Sequence, residues 1–169
     1  MRSGRGIVPC LVGRICAFAA LAVIVQLPLT ARARAALGDD VSVVAADQAR
    51  LQADLKVMRK DHYTIHELAL PSGVRLRNFV GDGGKVFAVS WSGGWRPNLR
   101  DIMGVHYDDF IAATRGKRLT RGVARIALPG MVVVMGGHQR AFFGHVYLTE
   151  LVPDGFFSDG DAPTGGSPD

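Results

Sequence analysis

The spacing of apolar residues predicts a helix at the start of the folded part of the chain. Apolar positions recur at alternating steps of three and four residues, which places one stripe on a helix: Val41, Val44, Gln48, Leu51, Leu55 and Met58. We expect an amphipathic helix over about residues 40–58, with Asp39 or Asp40 capping its start. A coiled coil needs a longer repeat, so packing onto a sheet is favoured.

The pattern then changes to short β-rich runs. Three runs at residues 63–70, 74–80 and 85–91 are separated by turns rich in glycine, proline and aspartate at 71–73 and 81–84. Runs of this kind are typical of hairpins. The third run is apolar almost throughout, so it is predicted to be a central strand.

A second helix and more strands complete the pattern. Helical spacing returns over residues 98–113, and strands are predicted at 123–127, 131–135 and 139–148, with turns at 128–130 and 136–137. Consecutive hairpins indicate an antiparallel sheet. The prediction is therefore one α+β domain over residues 36–153, with five to six strands, an N-terminal amphipathic helix and a second helix inserted after the third strand.

The two ends of the chain are predicted to lie outside this domain. Residues 154–169 are mostly glycine, aspartate, proline and serine, a composition typical of a disordered tail. At the other end, three arginines precede an apolar stretch at residues 15–29, and small residues follow it. This order is typical of a Sec signal peptide over residues 1–35. Ala33 and Ala35 have the spacing that signal peptidase requires, which predicts cleavage between Ala35 and Ala36.

Retention of the signal as a membrane anchor is the alternative. Arg32 and Arg34 follow the apolar stretch, and positive charge there opposes translocation. The stretch is nevertheless shorter than the roughly 20 residues that a membrane-spanning helix needs. We therefore expect a periplasmic or secreted protein, with anchoring in the inner membrane by residues 15–29 as the second hypothesis.

Removal of the signal changes what composition implies. The chain has 20 Lys and Arg against 15 Asp and Glu, but five arginines and no acidic residue precede Ala36. The mature chain is therefore neutral, and the basic excess gives no support to binding of nucleic acid. Cys10 and Cys16 also leave with the signal, so no disulfide or thiolate metal site is expected.

A set of short motifs carries a resemblance to a known family. The motifs are ALG at 36–38, AADQAR at 45–50, YTIHE at 63–67, PSG at 71–73, GKVFAVSW at 84–91 and GGHQRAF at 136–142. Together they resemble a family of small exported Gram-negative bacterial proteins, catalogued as domain of unknown function twenty-eight forty-four. The resemblance covers about residues 36–153 and agrees with the predicted cleavage site. It implies no activity, ligand or catalytic residue.

The familiar catalytic signatures are missing from the sequence. His62 and His66 lie in a predicted strand, where four residues span roughly 13 Å, too far for one metal ion. Phe79 and Val86 occupy the positions where a phosphate loop requires glycine and serine or threonine. No serine lies in the G-x-S-x-G pattern. We therefore predict no catalytic residue, no metal and no cofactor.

One patch is a candidate binding site. Its first part surrounds a glycine pair at the end of the predicted central strand and comprises Trp91, Trp95 and Arg96. Exposed tryptophans stack on ligands and are enriched at binding hot spots. The alternative is that Trp91 fills the core and Trp95 plugs the gap between the sheet and the second helix. His138 and Arg140, beside the second glycine pair, are candidate polar partners.

Two functional hypotheses follow. The favoured one is a non-catalytic periplasmic binding or accessory module, which engages a protein or polymer of the cell envelope. The alternative is an envelope hydrolase or metal-assisted enzyme that uses His138 and His145 with a carboxylate such as Glu150. The second hypothesis requires that these three side chains lie together in a pocket.

Overall fold

The computed structural model describes residues 37–116 and 122–157. The chain divides into two units, Met1–Ala31 and Arg32–Asp169, and every described residue belongs to the second. The predicted signal peptide, including the cleavage position at Ala35 and Ala36, lies outside the described residues. Within the described ranges, no helix has the length and apolar character needed to span a membrane.

The domain contains one antiparallel sheet of seven strands. One helix precedes the first strand, and the other helices lie between the fourth and fifth strands. The strands are β1 Asp54–Arg59, β2 Tyr63–Ala69, β3 Arg75–Gly81, β4 Val86–Gly93, β5 Ala124–Leu128, β6 Met131–His138 and β7 Ala141–Leu148. The helices are α1 Ser42–Leu51, α2 Leu99–Met103 and α3 Tyr107–Thr114, with a 3₁₀ turn at Gly104–His106 between the last two.

The strand order confirms the α+β class and corrects the strand number. Spatially the order is β1-β2-β3-β4-β7-β6-β5, with every neighbouring pair antiparallel. The predicted third run is β4, and it is central as expected, with three strands on each side. The sheet has seven strands rather than five to six, so the second helical segment follows the fourth strand instead of the third.

The additional strand is β1, which lies mostly within the segment predicted as the first helix. α1 ends at Leu51, and Gln52 adopts the left-handed conformation with φ 50°. The N–H of Ala53 donates to the carbonyl of Gln48 at 3.1 Å, which closes the helix end. Beyond this turn the chain runs back as β1 and forms six cross-strand pairs with β2. The prediction that the helix reaches residue 58 is therefore wrong. The N-cap position is Val41 rather than Asp39 or Asp40, and no side chain caps the helix from there; Asp40, one residue earlier, accepts with Oδ1 from the N–H of Ser42 at 2.9 Å.

Two further predictions about helices and turns are corrected. The segment predicted as one helix over residues 98–113 is interrupted at Gly104, which has φ 55°. Gly136 and Gly137 were expected to form a turn, but β6 runs through both to His138. They are strand glycines because the neighbouring strand approaches closely, and a Cβ on Gly137 would overlap the carbonyl oxygen of Ala141. The turn itself lies at residues 139–140.

Each face of the sheet has its own hydrophobic core. The helices cover one face, where Val44, Ile102, Met103 and Phe110 pack against strand residues that include Trp91 and Val146. On the other face, an aromatic cluster joins the strands to the C-terminal segment and comprises Tyr63, Phe79, Phe87, Tyr147 and Phe156. Both cores bury apolar surface, and this burial is the main favourable term in the free energy of folding.

A β-bulge and the C-terminal segment build the aromatic cluster. Phe79 pairs with Ala88 while Val80 pairs with Val86, so Phe87 is the additional residue on β4. The Phe87 ring meets Phe156 edge-on, with centroids 4.9 Å apart. Phe156 is fully buried. The folded domain therefore extends past the predicted boundary at residue 153, and the remainder of the predicted tail, from residue 158, lies outside the described residues.

Candidate functional site

The two glycine pairs singled out in the sequence lie side by side at one end of the sheet. β7 lies between β4 and β6, and its Phe142 pairs with Gly93 on one side and with Gly137 on the other. A Cβ on Gly94 would lie 3.8 Å from the carbonyl oxygen of Arg140, so the two loops meet beyond the strand ends. Residues about 45 positions apart in sequence thus form one local surface.

This end of the sheet contains a pocket of about 890 Å³. Its lining is mostly apolar, aromatic or glycine: Trp91, Arg96, Pro97, Leu99, Gly122, Val123, Ala124, Met135, Gly136, Gly137, His138, Phe142 and Phe143. Among these described residues only Arg96 and His138 are ionisable, and none carries a carboxylate. A volume of this size, apolar walls and few polar groups are typical of small-molecule sites.

Trp91 belongs to the core and to the pocket at once. Its side chain is only 4% exposed, which agrees with the core interpretation. It also lines the pocket, so one edge of a core residue forms part of the wall. Gly144 on β7 pairs with Trp91 and makes room for the indole, because a Cβ there would overlap Trp91 Cζ2.

Trp95 has a different environment from Trp91. It is 71% exposed and does not line the pocket, so the interpretation that it plugs the gap between sheet and second helix is wrong. Arg96, the next residue, turns its guanidinium over the Phe142 ring, with Cζ 4.7 Å from the ring centroid. This cation–π contact holds the charged group at the pocket. Trp95 therefore stands beside the pocket as an exposed aromatic.

Of the two candidate polar residues near the second glycine pair, one lines the pocket. His138 ends β6 and lines the pocket, and its Nδ1 lies 3.1 Å from the carbonyl oxygen of Gln139. Arg140 is in the turn, with φ 68°, and its exposed side chain does not line the pocket. Of the five residues predicted to bind a ligand or partner, the structure brings Trp91, Arg96 and His138 together.

Sequence reasoning missed most of the apolar wall. Phe142, Met135 and Leu99 come from three elements that are distant in sequence, and no local motif marks them as neighbours. Phe142 had one detectable signal, because it is the last residue of the GGHQRAF motif at 136–142, which contains the second glycine pair. Its role as the platform for Arg96 depends on the pairing of β7 with β4, which only the fold shows.

The residues of the enzyme hypothesis do not converge. His145 pairs with Val134 on β6, four residues from His138, which is roughly 13 Å along the strand. Glu150 follows β7, so it lies beyond the end of that strand opposite to His138. Residues 37–116 and 122–157 contain no group of three His, Cys, Asp or Glu side chains placed to hold a metal ion. The expected trio is therefore not a site.

His145 is a buried histidine within the sheet. It is 3% exposed, pairs with Ser90 on β4 and stacks on Tyr147, with ring centroids 6.1 Å apart. Burial lowers the pKa of His145 to about 4, and the positive charge of Arg125 acts in the same direction. The imidazole is therefore neutral near pH 7.

The buried His145 makes stability depend on pH. Because its pKa is lower in the folded state than in the unfolded chain, the unfolded state binds the proton more strongly between about pH 6.5 and pH 4. The free energy of unfolding should fall over that window by roughly 2 to 3 kcal/mol from this group, and should be fully retained above it. Burial also lowers the pKa of His66, with the same sign.

Urea unfolding at pH 7 and pH 4.5 measures this dependence. We expect His145→Gln to lose less stability on acidification than the unsubstituted protein, because the glutamine does not titrate. Contributions from His66 and the carboxylates are common to both proteins and cancel in the difference. An equal loss in both would show that His145 is not the responsible group.

The fold and the pocket together describe an α+β domain with an open antiparallel sheet and an apolar site at one end. The family model described as protein of unknown function DUF2844 matches residues 33–160, and the chain belongs to this family. No curated protein and no solved structure gives a significant match.

Proposed function

We propose that the protein is an exported, non-catalytic binding module of the cell envelope, and that the pocket at the end of β4, β6 and β7 is its binding site. The observation that carries this proposal is the pocket of about 890 Å³, with its apolar walls and a cation held at Arg96. Sites of this type bury an apolar group and use a few polar atoms to orient it.

Trp95 extends the site beyond the pocket. It is exposed, directly precedes Arg96 and so stands next to a residue that lines the pocket. Large exposed aromatics beside a concave surface supply contact area at low entropic cost. A partner bound in the pocket would therefore meet Trp95 at the rim.

The N-terminal sequence supports export. A positive leading end, an apolar stretch and small residues at the cleavage spacing stand in order before residue 36. The family match begins at residue 33, close to the expected mature start. A protein processed in this way would be periplasmic or secreted.

A photo-crosslinker at position 95 tests the proposal in cells of the native host. We expect p-benzoylphenylalanine at position 95 to form a discrete adduct with a periplasmic component, in protein whose N-terminus is Ala36. The same group at position 105 is the control, because Val105 is 84% exposed and does not line the pocket. It should form no such adduct.

A pocket-filling variant decides whether the adduct depends on the pocket. Ala124 lines the pocket and pairs with Met135, which lines it too, so Ala124→Trp should occupy the space. The adduct from position 95 should then disappear, while circular dichroism shows a folded domain. An adduct that survives this change, or one that forms equally from position 105, would contradict the proposal, as would the absence of any adduct.

A further inference from the structure

The charge at the pocket points to the class of ligand, on the basis of the binding function proposed above. Among the residues that the structure describes, the lining contains a guanidinium and an imidazole, from Arg96 and His138, and no acidic side chain. The site is thus complementary to an apolar molecule with a negative end. A purely apolar ligand that covered the guanidinium would remove it from water without providing a partner, and a cationic ligand would be repelled.

Arg96 differs from several other arginines of the domain in having no ion pair among the described residues. Arg77 binds Glu67 at 2.6 Å, Arg50 binds Asp47 at 2.8 Å, and Arg100 binds Asp108 at 3.2 Å. Arg96 instead lies over the Phe142 ring, which orients the guanidinium without neutralising it. Its hydrogen-bond donors are therefore left for an incoming anion.

Among the described lining residues, the geometry of the cation favours a carboxylate over a phosphate ester. A single planar guanidinium matches the two oxygens of a carboxylate in a bidentate arrangement. Phosphate sites commonly gather several cations or backbone N–H groups. The described lining offers one guanidinium and one imidazole, from Arg96 and His138.

The apolar wall favours an alkyl chain over a peptide. A buried peptide brings an N–H and a carbonyl with every residue, and each needs a partner. The wall offers mainly the side chains of Trp91, Leu99, Met135 and Phe142, which supply none apart from the indole N–H. An alkyl chain requires only apolar contact. We infer that the pocket binds a free fatty acid, with its chain against this wall and its carboxylate on Arg96.

Titration with ten-carbon ligands tests the inference. The chain has two tryptophans, so Trp95→Phe leaves Trp91 in the pocket wall as the single fluorescent reporter. We expect decanoate to change its fluorescence saturably, and to bind at least ten-fold more tightly than decan-1-ol or decyltrimethylammonium. Each methylene removed from the acid should weaken binding roughly four-fold.

Substitution of arginine supplies the matched control. Arg96→Gln should weaken decanoate binding about 10- to 100-fold, because a charge-assisted contact is lost. Arg100→Gln should leave it unchanged, since Arg100 pairs with Asp108 and does not line the pocket. Binding of decanoate that is equal in both variants would overturn the inference.

The outcomes also separate this inference from the proposed function. If decan-1-ol binds as tightly as decanoate, the pocket accepts an apolar group but the acid is not recognised, so only the inference fails. If no ten-carbon ligand binds while the position-95 adduct still depends on the pocket, the fatty-acid assignment is wrong and the binding module stands. If the position-95 adduct does not depend on the pocket, the proposed function itself is wrong.

Discussion

Gly144→Ala is expected to lower the free energy of unfolding by about 3 kcal/mol, because the added methyl group has no room. Its Cβ would overlap Trp91 Cζ2 and lie 2.6 Å from Trp91 Cε2. On the other side it would lie 2.7 Å from the carbonyl oxygen of Val134, which is fixed in the ladder between β6 and β7. The carbonyl oxygen cannot move without disturbing the ladder, and the buried indole can move only toward the pocket, away from its packing in the core.

Gly83→Ala is the matched control for this substitution. Gly83 lies in the turn between β3 and β4, where a Cβ would meet no atom within 4 Å. Its stability should stay within about 0.5 kcal/mol of the unsubstituted protein. Urea unfolding followed by circular dichroism compares the two variants. Equal stability of both would mean that Trp91 does not lie across Gly144, and the pocket wall described above would be wrong.

The pairing of a tryptophan with a glycine explains how the pocket coexists with a packed core. Trp91 points into the helix-covered face, and the bare backbone of Gly144 accepts the indole. A larger residue at position 144 would push the ring toward the pocket. The site is therefore maintained by core packing as much as by the residues at its rim.

The middle of the sheet could be predicted from the sequence because its signals are local. β2, β3 and β4 are short apolar or alternating runs, and each is bounded by a turn containing glycine. The mostly apolar character of β4 follows from its central position, where both faces are covered. These features do not depend on which strands pair at a distance.

The first strand was missed because its apolar residues continue the helical spacing. Leu55 and Met58 fit the steps of α1 and are both half-buried in β1. The helix ends at Gln52, which takes a left-handed conformation that glycine or asparagine more commonly supplies. Because position 52 is neither glycine nor asparagine, nothing in the sequence marks the end of the helix there.

The candidate site was predictable in its parts but not in its assembly. The two glycine pairs and Trp91, Arg96 and His138 were identified from residue type alone. Their meeting depends on the insertion of β7 between β4 and β6, which is a long-range pairing. The different exposures of Trp91 and Trp95 also depend on packing, since strand alternation ends at Gly93.

A photoreactive fatty acid tests most directly whether this pocket is the binding site. Decanoic acid with a diazirine near the end of its chain can be bound to the purified protein, activated by light, and located by tandem mass spectrometry. We expect labelling of the apolar wall, on Trp91, Met135 or Phe142, and none on the aromatic cluster of the opposite face.

The same measurement on Ala124→Trp completes the test. Labelling of the wall should be lost when the indole fills the pocket, and Gly83→Ala should be labelled like the unsubstituted protein. Labelling that falls instead on Tyr147 or Phe157, on the opposite face, or that is unchanged in Ala124→Trp, would contradict the assignment of the pocket as the binding site.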